Sequence, residues 1–215
     1  MKIKPQLNVK LASRHMFVII TPVTRLDNLA AVEKSILWSK EGCDLNLVWW
    51  QSHAHFMPIQ ETEYTDENGI RIIKTRCDSP GIGGTAERNE VLDYLMSPDC
   101  DERHTRICFL DDDNLMLTSY LRSIEILMKE FPNMGYFYDQ VNLDGSYRCI
   151  AAPQNVRPCG IDTAQGCLPI ELVGTERWNV NSSVNDGEFY QAVYSANPDK
   201  FLFVNRPLCA YNALV

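Results

Sequence analysis

The run Ile107-Cys108-Phe109-Leu110, followed at once by Asp111-Asp112-Asp113-Asn114, constrains this chain more than any other segment. Adjacent carboxylates repel one another, so a folded protein tolerates three in a row only where they are solvated or share a cation. The apolar run has the character of a short buried strand, predicted over 106–110, and the segment from Leu115 to Phe131 is predicted as the helix that follows. The acids then lie at the carboxyl end of a strand, where open α/β sheets bind their ligands. Extended backbone sends alternate side chains to opposite faces, so Asp111 and Asp113 are expected to share one side while Asp112 points elsewhere. Acids so placed suit a divalent metal clamping a diphosphate. Magnesium or manganese takes carboxylate oxygens and completes its shell with phosphate and water. The competing reading is a helix-start cap made by Asp113 or Thr118, for which one acid would be enough. An EF-hand is excluded, because the glycine and distal glutamate of that loop are missing.

The rest of the chain supplies a scaffold for such a site. Phe17 to Ile20 reads as a strand that stops as it reaches Thr21-Pro22. Thr24 and Asp27 then offer a helix start, and Leu26, Leu29, Ala30, Ile36 and Leu37 repeat at helical spacing up to Gly42. Leu45 to Trp50 is the next strand, which makes the opening a strand-helix-strand unit with parallel strands. Ile70 to Lys74 is predicted as a short strand and Thr85 to Met96 as a helix. Beyond residue 131 the pattern changes. Met134 to Val141 and Tyr147 to Ala152 flank Asn142-Leu143-Asp144-Gly145-Ser146, a hairpin signal. A helix over 186–196 and a strand over 200–205 complete the series. The first ten residues are polar and are expected to fray. The expected architecture is a single α/β domain over 1–215, a mostly parallel mixed sheet flanked by helices. Residues 1–114 form its nucleotide-binding half and residues 115–215 its acceptor-binding half.

Three further constellations could carry chemistry. Thr21-Pro22-Val23-Thr24-Arg25 ends the first strand, on the same sheet edge as the acids. Backbone N–H groups at the following helix start, together with Arg25, could hold a phosphate or a base edge. In Gly83-Gly84-Thr85-Ala86-Glu87-Arg88-Asn89 the glycines allow close backbone approach, and Arg88 or Asn89 could reach a nucleotide. An ordinary glycine-rich loop with a capping Thr85 explains it equally well. It is not a Walker A loop, since no Gly-Lys-Ser/Thr follows, and no strand runs directly into it as a dinucleotide fingerprint requires. Asn185-Asp186-Gly187-Glu188 opens a helix. An acid there could act as a general base, although spacing alone reads as an acidic helix N-terminus complementing the dipole. Trp178, Trp49 and Trp50 could stack on sugar faces or belong to the core.

Bulk properties narrow the class. With 215 residues, 45% hydrophobic and 22% charged, the chain is an ordinary globular length and composition. A net charge of −8 argues against general nucleic-acid binding, which needs a basic surface. The eight cysteines are scattered without a C-x-x-C pair, which fits reduced, mostly buried thiols better than disulfides. Neither they nor the four histidines show zinc-ligand spacing. No stretch approaches a membrane span, and Phe17-Val18-Ile19-Ile20 is too short for a signal-peptide core. A soluble cytoplasmic protein is expected, in a host cytoplasm if the chain is viral.

Taken together, the motifs resemble a GT-A-fold glycosyltransferase, with its Rossmann-like nucleotide-binding architecture. Phe17 to Arg25 resembles the opening strand and nucleotide loop of that superfamily, and Ala86 to Leu92 resembles its arginine-asparagine helix. Phe109 to Asn114 resembles the DXD motif, close to the DDDN form of the glucuronyltransferases. Asn185 to Phe189 is similar to the acidic motif of inverting members. The chain also resembles the N-terminal glycosyltransferase domain of a large chlorella-virus multidomain enzyme. That resemblance implies UDP-L-rhamnose as donor and further domains C-terminal to this chain.

The resemblance implies that Asp113 ligates Mn²⁺ or Mg²⁺, that Asp111 and Asp112 contact ribose or donor sugar, and that Asp186 is the base. It implies that Thr21, Pro22, Val23, Arg25, Arg88 and Asn89 line the nucleotide site. The partners it implies are a UDP-sugar donor and a glycan acceptor. Two departures stand out. No histidine follows His104, so the late metal-binding histidine of some relatives is absent. Gln51-Ser52-His53 stand where an acidic uracil-binding residue is often found. The rival functions are a nucleotidyltransferase acting on a sugar phosphate, which shares the metal-on-carboxylate logic, and a non-catalytic carbohydrate- or metal-binding module.

Overall fold

Alternation along the first strand explains the architecture. In β1 (Met16–Val23) every residue is buried. Phe17 and Ile19 enter one core cluster, while Val18 and Ile20 enter another. A strand that is apolar on both faces must be covered on both faces, which is the signature of a helix-sandwiched sheet. In the computed structural model, which describes residues 16–79, 81–98, 100 and 105–214, that covering is present. α1 (Leu29–Lys40) and α3 (Tyr120–Glu130) supply Val32, Ile36, Leu121 and Ile124 to the first cluster. α2 (Thr85–Leu95) and α5 (Asn185–Ala196) supply Val91, Leu92, Phe189, Tyr190 and Val193 to the second.

One sheet runs through the domain. Its remaining strands are β2 (Asn46–His53), β3 (Thr62–Thr65), β4 (Arg71–Arg76), β5 (Arg106–Phe109), β6 (Leu115–Met116), β7 (Gly135–Val141), β8 (Tyr147–Cys149), β9 (Gly166–Pro169) and β10 (Phe201–Ala210). The order is β3-β4-β2-β1-β5-β9-β7-β10-β6, with β8 paired to β7. β4, β2, β1 and β5 run parallel, β9 is antiparallel to both β5 and β7, and β10 runs parallel to β7. Most strands therefore point one way, and the antiparallel β9 joins the two halves into a continuous layer. A short helix, α4 (Ile170–Val173), follows β9. Among the described residues no helix is long and apolar enough to cross a membrane.

Several elements depart from the sequence expectation, each for a local reason. β1 does not stop at Pro22 but continues to Val23, in register with Ser52 and His53 of β2. The Leu110 amide donates to the Ile20 carbonyl, so Pro22, two residues on, faces the side from which β5 has already turned away. Its missing N–H has no strand to serve there. The helix expected from Leu115 begins at Tyr120. Leu115–Met116 pair with β10 instead, the Met116 amide donates to Ser35 Oγ at 3.2 Å, and the Leu117 amide to the Leu208 carbonyl at 2.9 Å. β2 runs three residues further than expected, β10 five residues further through irregular pairing around Pro207, and β3 and β9 have no counterpart among the predicted strands. The hairpin at 142–146 and the late helix stand where expected. The expected fraying of the first ten residues lies outside the described residues, as do His15 and His104.

Candidate active site

The acids do not form an extended strand end. β5 ends at Phe109, and the Asn114 amide donates back to the Asp111 carbonyl at 3.1 Å, folding Asp112 and Asp113 into a turn. The expected alternation is therefore replaced by a different partition. Asp112 and Asp113 face Arg25 together, and Asp111 turns away to Arg88. Asn114 locks the turn from behind, its side-chain oxygen accepting from the Asn212 amide at 2.8 Å.

Asp112 is buried and fully engaged. Its Oδ2 accepts from the Thr24 amide at 2.6 Å, the Thr24 hydroxyl at 3.0 Å and the Arg25 amide at 2.7 Å, and its Oδ1 accepts from Arg25 Nη1 at 3.0 Å. These bonds anchor the loop that follows β1, so the structure places Asp112 as the scaffold of that loop. Contact with ribose or sugar, the role implied by resemblance, would require exchanging them. Asp113 is more open than Asp112. Its Oδ2 accepts from Arg25 Nη1 at 2.6 Å.

Arg88 is buried on α2, where its guanidinium donates to Asp111 and, at 2.7 Å, to the Gly83 carbonyl. It also lies over the Trp178 ring, 4.6 Å from the centroid. Burial of an arginine is sustained only with such partners, and removing the charged partner of a buried ion pair costs about 3–5 kcal/mol. Burial pushes the Asp111 carboxyl up to about 7, against the pull of Arg88 and with help from the charges of Asp186 and Asp162. Asp186 thus belongs to the same electrostatic neighbourhood, partly exposed at the first turn of α5.

An open cleft lies over these groups, lined by Pro22, Thr24, Arg25, Gly83, Gly84 and the three aspartates. Gly84 precedes α2 with φ +77°, and a Cβ there would come within 2.5 Å of Pro22, so only glycine lets the helix start this close to β1. The N-terminus of α2 and its partial positive charge thereby open onto the cleft.

The remaining sequence candidates are distributed differently. Thr21 is buried and accepts from Trp49 Nε1 at 2.9 Å, and Val23 packs with Ala54 and Met57. Asn89 bonds the Trp178 backbone with both amide atoms, at 2.9 and 2.8 Å. These three hold the frame and do not line the cleft. Trp49, Trp50 and Trp178 are all buried, so no tryptophan among those expected to stack on sugar is available to one.

Two features escaped the sequence. Asp162 is buried beside Gln140, whose Nε2 donates to it at 2.9 Å, and its carboxyl is raised by burial and by Asp186. The spacing Asp162-x-x-Gln165 marks a capping box, which the structure contains, but says nothing of a place near the site. Beside Pro22, Ser52 Oγ, both ring nitrogens of His53 and, next to Gly84, Thr85 Oγ1 are buried without protein partners among the described residues.

The donor set decides how a metal would fit. Among the described residues no three His, Cys, Asp or Glu side chains come together closely enough to hold one by themselves. Asp112 has both oxygens engaged and Asp111 is tied to Arg88. Asp113, on the cleft wall, remains as a hard oxygen donor suited to Mn²⁺ or Mg²⁺, provided a phosphate and water complete the shell.

No protein-family profile matches this sequence, and no curated protein sequence does. Solved structures match by shape. Staphylococcus aureus TarS 1–349 in complex with UDP superposes with a TM-score of 0.65 at 11% identity, over 91% of this chain and 60% of that one. The same protein in complex with UDP-GlcNAc gives 0.60 at 11% identity, over 91% of this chain and 58% of that one. A 4-diphosphocytidyl-2C-methyl-D-erythritol synthase gives 0.52 at 8% identity, over 94% of this chain and 92% of that one. The chain thus spans less than two thirds of the TarS fragment. The fold is the GT-A-type, Rossmann-like α/β fold that the motifs imply.

Proposed function

We propose that this chain is a metal-dependent, inverting glycosyltransferase that moves a sugar from a UDP-sugar to a hydroxyl of a glycan acceptor. The observation that carries this reading is the cleft itself, where Asp113, Arg25 and the glycine-opened start of α2 converge at the carboxyl ends of β1 and β5. TarS, which shares the fold, has been solved with UDP and with UDP-GlcNAc, and this supports a nucleotide-sugar in the cleft.

In this reading the diphosphate lies against Gly83-Gly84 and the N-terminus of α2, with Arg25 offsetting its charge. The base lies beside Pro22, where Ser52, His53 and Thr85 have unused hydrogen-bonding capacity. Asp113 would hold Mn²⁺ or Mg²⁺, and the bound ion would supply Lewis-acid stabilisation of the charge on the departing diphosphate. Asp186 removes the acceptor hydroxyl proton as its oxygen attacks the anomeric carbon from the face opposite the leaving group. The new C–O bond forms, the bond to the phosphate oxygen breaks, and UDP leaves with the electron pair. The transition state has oxocarbenium character.

The test is calorimetric titration of UDP with and without Mn²⁺ on the wild-type chain and Asp113→Asn, followed by turnover of UDP-sugars, UDP-L-rhamnose first. Metal-dependent UDP binding that is lost in Asp113→Asn, with Asp186→Asn binding UDP but failing to transfer, is the expected result. Absence of UDP binding under every condition overturns the reading. A second reading, nucleotidyl transfer to a sugar phosphate, is favoured by the match spanning nearly the whole of the synthase. It predicts pyrophosphate release from a nucleoside triphosphate, and a coupled pyrophosphate assay separates the two.

A further inference from the structure

Arg25 sits where a cation is needed. Its Nη1 lies 2.6 Å from Asp113 and 3.0 Å from Asp112, bridging the two acids of the turn. The arrangement is built at both ends. Asp112 is fixed by the Thr24 and Arg25 amides, so the loop carrying the guanidinium is anchored by one of the acids that the guanidinium neutralises. The far end can move, because about half of the Arg25 side chain, 51%, is exposed and, among the described residues, its side-chain hydrogen bonds go to the two acids. A long arginine stem hinged on a fixed backbone can swing its charge by several ångströms at small cost.

We propose that Arg25 is a resident counter-cation that neutralises Asp113 until a divalent metal arrives together with a diphosphate. Resting on the function proposed above, the inference adds a coupling between its two ligands. Metal alone meets a site where Arg25 already offsets one of the two turn carboxylates and whose donor set holds one available carboxylate, so it binds weakly. When the diphosphate enters, it offers Arg25 a stronger bidentate partner and offers the metal its missing oxygens. Arg25 moves from carboxylate to phosphate, and Asp113 is released to the metal. Neither ligand needs to bind tightly alone for the pair to bind tightly together, which in a chain of net charge −8 also prevents loose capture of free cations.

The experiment is a Mn²⁺ titration of the full chain, followed by electron paramagnetic resonance of the free ion, with and without UDP. It is run on wild type, Arg25→Gln and Arg25→Lys. Wild type is expected to bind Mn²⁺ weakly alone and more tightly with UDP. In Arg25→Gln, Mn²⁺ alone binds roughly tenfold tighter, the size expected from removing one partly screened positive charge beside the site. UDP then enhances metal binding less than in wild type. Arg25→Lys, which keeps the charge without the fork, falls between. Circular dichroism melts confirm that the variants fold. If UDP strengthens metal binding in wild type but folded Arg25→Gln binds Mn²⁺ alone no better than wild type, the counter-cation is overturned while the UDP-sugar reading stands. If wild type binds neither Mn²⁺ nor UDP in any combination, both are overturned.

Discussion

His53 ends β2 with both ring nitrogens buried and without protein partners among the described residues, and burial, reinforced by the Lys74 charge, pushes its pKa down to about 4. A histidine whose folded pKa lies below its unfolded value of 6.5 contributes stability that is complete above 6.5 and is lost as pH falls towards 4. At pH 5 the loss is about 2 kcal/mol. Urea midpoints at pH 7 and pH 5 measure it, and His53→Gln is expected to remove most of the difference between them. An equal drop in the variant would mean that some other group drives the acid response. The residue scale is also where the sequence was least complete as a guide to the site. The acids are conspicuous in sequence, yet their division of labour depends on one backbone hydrogen bond, Asn114 to Asp111, which converts a pleat into a turn. No period-two argument can anticipate that. Asn89 is visible as part of a motif, but that both its amide atoms are taken by the Trp178 backbone is a long-range fact.

At the scale of elements, the legible parts are those that are long and periodic. β1, β2, α1, α2 and α5 follow from apolar runs and helical spacing, and the hairpin follows from its Asp-Gly turn. The missed strands lack that signal. β3 is exposed at every position, and β9 is four residues ending in proline, recruited because antiparallel pairing with β5 and β7 fills the gap between the two halves. α3 starts late because β10 and Ser35 claim the preceding amides, a competition that local propensity does not contain. The junction of β1 with α2 gives the element-scale prediction. Gly84→Ala requires an L-residue at φ +77° and places a methyl 2.5 Å from Pro22, so α2 must retreat or its first turn must unwind. A destabilisation of roughly 1–3 kcal/mol is expected from the backbone strain and overpacking together. UDP affinity should fall further than stability does, because the start of α2 is part of the cleft. Thermal melts with calorimetry check both, and a variant that keeps wild-type UDP affinity would remove the α2 start from the binding surface.

The whole molecule is held together by one sheet, and the thiols report on it. None of the eight cysteines forms a disulfide; Cys159 is exposed, Cys43, Cys100 and Cys149 are half-buried, and Cys77, Cys108, Cys167 and Cys209 are buried. Cys108, Cys167 and Cys209 stand on β5, β9 and β10 in one core cluster, so they sample both halves of the sheet from the same face. Burial pushes the Cys167 thiol up to about 11 and the Cys77 thiol to about 12, which keeps both protonated and unreactive at pH 8. Pulsed iodoacetamide alkylation, read by mass spectrometry along a urea gradient, therefore follows unfolding strand by strand. Cys159 should label in the native state without urea. Because β9 pairs with both β5 and β7, the two halves have no seam along which to part, and Cys108, Cys167 and Cys209 should become reactive at one common midpoint. Labelling of Cys209 at distinctly lower urea than Cys108 would mean that the β7–β10 half opens on its own, with β9 as the boundary between two folding units.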